Sequence, residues 1–184
     1  MKNPWSRLNR RGKFLLITGC VLLAGFAIPE NFVMPVEHAR HNDYNSESFW
    51  YYPWGRSGTH KGVDIFAKRG TPVLAATGGF VVYRGTLGMG GNVIVILGPK
   101  WRLHYYAHLQ TQIAQTFDFV SCGEPIATVG TTGNAKGKAP HLHYSIATLL
   151  PYVWRIDGAP QGWKKMFYLD PTPKLNLAGT PKGL

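Results

Sequence analysis

The sequence predicts a mainly β fold: a compact antiparallel β-sheet domain preceded by an apolar helix. Three observations predict it. The 184 residues include 22 glycines and 13 prolines but only 16% charged residues, which suits a turn-rich globular chain better than a helical or disordered one. Short runs rich in Val, Ile, Tyr and Thr recur after residue 60, with glycines at most of their joints. No stretch sustains a 3.6-residue period for long, apart from a short helical patch expected around residues 111–118.

Residues 1–29 come first. Lys2, Arg7, Arg10, Arg11 and Lys13 lead into the apolar run FLLITGCVLLAGFAI, and Pro29 follows it. A basic flank before an apolar stretch is an export signal, either a signal peptide or a retained signal anchor. As a helix the run spans about 22 Å, short of the ~30 Å hydrocarbon core. The cationic flank should stay cytoplasmic and the remainder should be exported. The ITGC ending at Cys20 resembles a lipoprotein acylation signal, although the apolar run continues beyond it. Cys122 is the only other cysteine, so no structural disulfide is expected.

Residues 30–49 read as a polar tether, and 50–172 as the folded domain. Phe49, Trp50, Tyr51, Tyr52 and Trp54 form a cluster that either packs beneath the sheet or lines a groove. The strand runs are TPVLAAT, GGFVVYRGT, GNVIVILG, WRLHYYAHL, EPIATVGTTG and HLHYSIATL. The tail, 173–184, reads as extended and poorly ordered.

The net charge of +11 falls to +6 once the five basic residues of the leader are set aside. No basic stripe interleaved with aromatics occurs, so nucleic acid is not an expected partner. An anionic polymer or an anionic membrane face suits the charge.

Chemistry concentrates in two places. In GTHKGVDIF, residues 58–66, His60 and Asp64 stand four apart, yet Gly62 and β-branched Val63 and Ile65 argue for a loop entering a strand. In HLHYSI, His141 and His143 stand two apart and so share one face of a strand. Together these are donors suited to zinc. All four would close the coordination shell, whereas a catalytic site takes three and leaves a position for water. Spacing does not say which histidine stands back, nor does it bring His108 of YYAHL into the group.

From GRSGTHKGVDIFAKRGTPVLAATGGFVVYRG through GNVIVIL, YYAHL and VSCGEPIATVGTTGNAKGKAPHLHYSI to LDP, the chain resembles the LytM/lysostaphin-type zinc metallopeptidase family, over about residues 55–171. The resemblance implies one Zn2+ held by His60, Asp64 and His143, with a water as fourth ligand. It makes His108 and His141 the catalytic histidines. It implies a peptidoglycan endopeptidase, zinc activating the water and the two histidines moving its proton; the export signal leads us to expect the domain in the periplasm, free or anchored to the inner membrane. Some members have lost ligands and instead activate other wall hydrolases, so a non-enzymatic or autoinhibited regulator with a protein partner is the alternative. Asn92 is expected to shape the groove or a turn. Lys136 and Lys138 are expected either beside an acidic substrate or in solvent. His104 is expected on the strand surface, and His38 and His41 in the tether.

Overall fold

The computed structural model describes residues 9–179. Among the described residues, nine strands form one antiparallel sheet: β1 (Val63–Phe66), β2 (Pro72–Leu74), β3 (Gly79–Leu87), β4 (Gly91–Gly98), β5 (Arg102–Gln112), β6 (Phe119–Val120), β7 (Pro125–Val129), β8 (His141–Thr148) and β9 (Tyr168–Leu169). Their main order is β1-β8-β5-β4-β3-β6, with β7 joining β5 to β2 and β9 lying beside β8. The mainly β, antiparallel expectation is met.

Period-2 alternation divides the sheet into two chemistries. Val63, Ile65, Leu142, Tyr144 and Ile146 are buried in the core with Tyr106 and Ile94. The residues between them, Asp64, Phe66, His141 and His143, turn to the opposite face. A shift of one residue in β1 or β8 would exchange the two sets, so core burial fixes the register that presents the polar group.

Several expectations are corrected. Residues 111–118 form no helix: β5 runs on to Gln112, and Phe117, whose amide bonds to Val81, lies in a turn. The tail is not extended throughout. Helix α2 (Thr172–Gly179) follows β9, started by Asp170 Oδ1 accepting from the Thr172 amide at 2.9 Å, with Leu175 buried in the core. Residues 180–184 lie outside the described residues.

Helix α1 (Arg10–Ala27) covers the apolar run, with Asn9 Oδ1 accepting from the Gly12 amide at 2.8 Å. Three of its first four residues are basic, and among the described residues no helix is long and apolar enough to cross a membrane. Residues 30–49 lie against the domain: Val36 is fully buried and bridges Val73, and the Val33 amide bonds to Ala76 O at 3.0 Å. The aromatic cluster divides, Trp50 packing inward while Tyr51 and Tyr52 stay exposed.

Candidate metal centre

The pairing of β1 with β8 places Asp64 directly opposite His143. Asp64 Oδ1 stands 2.8 Å from His143 Nδ1 and 3.1 Å from His60 Nε2, and the two imidazole nitrogens are 3.1 Å apart. Donors about 2.0–2.1 Å from a tetrahedral zinc ion stand roughly 3.3 Å from one another, only slightly wider than these separations. One carboxylate oxygen and two imidazole nitrogens therefore converge as a zinc ion requires, and they form a group of His, Asp and His able to hold a metal.

The loop before β1 delivers His60. Its Nδ1–H donates to the carbonyl of Ser48 at 3.0 Å, which leaves Nε2 with the lone pair aimed at Asp64 and His143. Such a carbonyl partner fixes tautomer and ring angle together. The indole of Trp54 stacks on the His60 ring, centroids 4.1 Å apart, so this member of the aromatic cluster lines the groove. Gly62 has a steric reason to be glycine. A Cβ there would lie 2.9 Å from the His143 ring and would also press on the Tyr144 carbonyl.

His141 and His108 complete the group. His141 Nδ1–H donates to Ala139 O at 2.8 Å, and its Nε2 lies 3.9 Å from Asp64 Oδ2. His108 and His141 meet edge to face, ring centroids 4.9 Å apart, and His108 lies 6.0 Å from the His143 ring. Strict alternation along β5 would send His108 into the core with His104 and Tyr106. A bulge prevents this. Asn92 pairs with Leu109 while Ile94 pairs with Tyr106, so β5 carries one extra residue, and His108 itself has φ 63°. A non-glycine residue in left-handed conformation costs of order 1–3 kcal/mol and persists where surrounding contacts hold it. Here the Thr132 carbonyl accepts from His108 Nδ1–H at 2.9 Å.

Thr132 is a residue that sequence reasoning missed. Its hydroxyl donates to Leu109 O at 3.0 Å and accepts from the Asn92 amide at 2.9 Å, tying together the loop before β8, β4 and the bulged strand. Asn92 thus serves the groove through its backbone, and its side chain bonds Thr86 at 3.0 Å. Ser48 and Tyr105 were also missed. No residue-type pattern announces a backbone carbonyl acceptor, and Tyr105 was visible only as one of two adjacent tyrosines.

The five polar side chains line a cavity of ≈ 780 Å³ with Trp54, Phe66, Met89 and Tyr105 among its walls. Burial would raise the Asp64 carboxyl, but the hydrogen bonds of His143 and His60 outweigh it and hold the group well below the usual carboxylate range. Burial, then the neighbouring His143 and His141, lowers His108 to about 4, against the opposing effects of Thr132 and Asp64. Burial lifts the Tyr105 phenol to about 12, helped by Tyr168 and Tyr83.

Lys138 lines the cavity and Lys136 does not, and both are exposed. His104 is not a surface residue. It is fully buried beneath the sheet, its Nδ1 2.7 Å from the Tyr144 hydroxyl, and plays no part in the cavity. His38 is exposed, and His41 bonds Asn176 O at 3.1 Å, away from the site.

Three converging donors able to hold a metal, with two further imidazoles beside them, thus lie on one face of an antiparallel sheet. The chain belongs to peptidase family M23, whose model matches residues 58–154. It is similar to the DD-carboxypeptidase/endopeptidase Mpg of Neisseria meningitidis, 36% identical over 119 residues, or 65% of this chain and 25% of that protein. It is similar also to the murein hydrolase activator NlpD of Escherichia coli, 37% identical over 90 residues, or 48% of this chain and 23% of that one. The chain thus spans about a quarter of the length of these relatives. Among solved structures, the catalytic domain of lysostaphin from Staphylococcus simulans superimposes with a TM-score of 0.58 at 30% identity, over 73% of this chain and 93% of that one.

Proposed function

We propose that this chain is a zinc-dependent endopeptidase that hydrolyses peptide cross-links of bacterial peptidoglycan after export. The observation that carries the reading is the convergence of His60, Asp64 and His143 with His108 and His141 beside them and outside the donor set. His60, Asp64 and His143 would hold one zinc ion, which leaves a coordination position for water. When bound, zinc polarises the scissile carbonyl and lowers the pKa of a bound water to about 7.

The protein's own groups do the rest. Each of His108 and His141 spends its Nδ1–H on a backbone carbonyl, so its Nε2 is the proton acceptor in the neutral ring. Either Nε2 takes a proton from the attacking water and passes it to the leaving amine. The ring that is protonated in between donates to the developing oxyanion. Tyr105, kept a neutral phenol, is a further donor on the cavity wall. Trp54 and Phe66 give the peptide apolar walls.

The relatedness to an activator protein favours a second reading, a regulator of other wall hydrolases that keeps its metal site. The intact imidazole pair weighs against it, since an activator has no use for two acid–base groups beside a metal. The test is to incubate purified cell wall with the protein and separate the products by chromatography. Loss of cross-linked fragments, abolished by a chelator and restored by zinc, supports the enzyme; unchanged cross-linking with zinc present overturns it.

A further inference from the structure

We propose that the folded domain docks on an anionic lipid bilayer through the segment 149–156, alongside α1, which holds the metal centre at a fixed height above the lipid. This goes beyond attachment by the N-terminal helix and rests on reading that helix as lipid-facing.

The segment carries Leu149, Val153, Trp154 and Ile156 as exposed apolar side chains, with Trp154 76% exposed and stacked on Tyr152 at 5.1 Å. It is a fixed segment. The Leu149 amide bonds Trp101 O at 3.1 Å, and the Tyr152 amide bonds Met166 O at 2.8 Å. Apolar side chains held outward on a braced backbone mark an interaction surface.

Trp101 joins this surface to α1. Its indole Nε1–H donates to Leu22 O at 3.0 Å, and Gly25 packs so closely on the ring that a Cβ would overlap it. Lys100 and Trp101 both adopt left-handed backbone, φ 60° and 58°, at a hairpin tip where Asn-Gly would be relaxed. The strained tip presents the indole to the helix. Along α1 itself Phe14, Leu15, Leu16, Ile17, Val21 and Leu23 are exposed.

No slack separates helix from sheet. Two residues beyond Ile28, the buried carboxylate of Glu30 pairs with Arg102 and, at 3.2 Å, with Lys174. Charge chooses lipid over a protein groove as the occupant. Lys100 flanks the docking tip and Arg155 lies within the segment, while the neighbouring carboxylate, Asp157, is paired with Lys165 at 2.5 Å. Basic residues beside apolar ones, with an outward tryptophan, suit the interface of an anionic bilayer. β5 runs from Arg102 at this end to His108 at the metal centre, six residues or roughly 20 Å. Docking therefore keeps the metal centre at that distance from the lipid and confines cleavage to wall close to the membrane.

The test uses the full chain with Cys20→Ser and Cys122→Ser, carrying one nitroxide at either Trp154→Cys or Phe117→Cys. Phe117 is 85% exposed beside β3 and β6. The proteins are reconstituted with vesicles of phosphatidylglycerol and phosphatidylcholine. The expected result is that the label at 154 is relaxed more by dissolved oxygen than by an aqueous nickel complex, and the label at 117 the reverse. A label at 154 as open to nickel as that at 117, on vesicle-bound protein, would show a loosely tethered domain and overturn the proposal. Shielding of 154 from both reagents would mean a protein partner or a second copy, and absence of vesicle binding would mean no lipid docking; each also overturns it. Cell-wall cleavage by the same proteins is scored separately, so failure of the enzyme reading leaves this result interpretable.

Discussion

Asp64 and His143 face each other across β1 and β8, and their Oδ1 and Nδ1 atoms stand 2.8 Å apart. Backbone register places this contact, so it forms whenever the sheet forms. Removing either side chain leaves two donors where an ion needs three. Asp64→Ala or His143→Ala should lower zinc affinity by more than the ~10–100-fold that loss of an outer hydrogen bond costs. Metal analysis after dialysis checks this, and full occupancy in either variant would contradict the assignment.

Gly62→Ala tests the same contact without touching a donor. The added methyl would meet the His143 ring at 2.9 Å and press on backbone that has little room to move. Zinc affinity and thermal stability should both fall. Titration against a competing chelator and a melting curve measure the two, and an unchanged zinc affinity would show that the ring is not confined from this side.

Much of this arrangement was legible in the sequence. Asp64 between Val63 and Ile65, and His141 two before His143, follow alternation, and alternation is what the sheet uses. The facing of His108 was not legible, because it depends on a bulge and a left-handed residue that propensity does not announce. The burial of His104 was not legible for a related reason: a polar ring reads as exposed unless its buried partner, Tyr144, is known. The helical tail was not legible, although Pro173 suits a helix's first turn and Asp170 can cap it. What decides that helix is the burial of Leu175 against the sheet, a contact distant in sequence.

Thr132→Ala removes two hydroxyl bonds that join the β8 loop to β4 and β5, and leaves the Asn92 amide without its acceptor. An unpaired, partly buried amide costs about 1–3 kcal/mol. At roughly 2–4 °C per kcal/mol for a chain of this size, Tm should drop by several degrees. Turnover should fall more than KM rises, because His108 loses orientation while the cavity walls remain. Steady-state kinetics on a soluble muropeptide dimer would separate the two.

His104 gives the fold an acid sensitivity of its own. Burial, then Lys174 and Arg102, lowers it to about 3, and the Glu30 carboxylate 3.7 Å away is already shared with those two cations. The unfolded chain binds this proton near 6.5, so between about 3 and 6.5 the unfolded state holds more protons than the folded one. Stability is complete above that window and declines as pH falls through it, by up to about 1.4 kcal/mol per pH unit. Denaturant unfolding at pH 7 and pH 5 should show the loss, and His104→Gln should flatten it. Equal slopes in both proteins would contradict the assignment.

The measurement that bears most directly on the central claim is the mass of fragments released from purified cell wall by the zinc-loaded protein, set beside zinc-loaded His141→Ala. That variant keeps the three proposed metal donors and loses one proposed proton carrier. The account predicts newly uncross-linked peptides from the wild type, at least about 100-fold fewer from the variant, and equal zinc in both. Release of nothing by either protein at full zinc occupancy would contradict an endopeptidase and leave the regulator. Equal release by both would leave the metal centre catalytic but remove His141 from the chemistry.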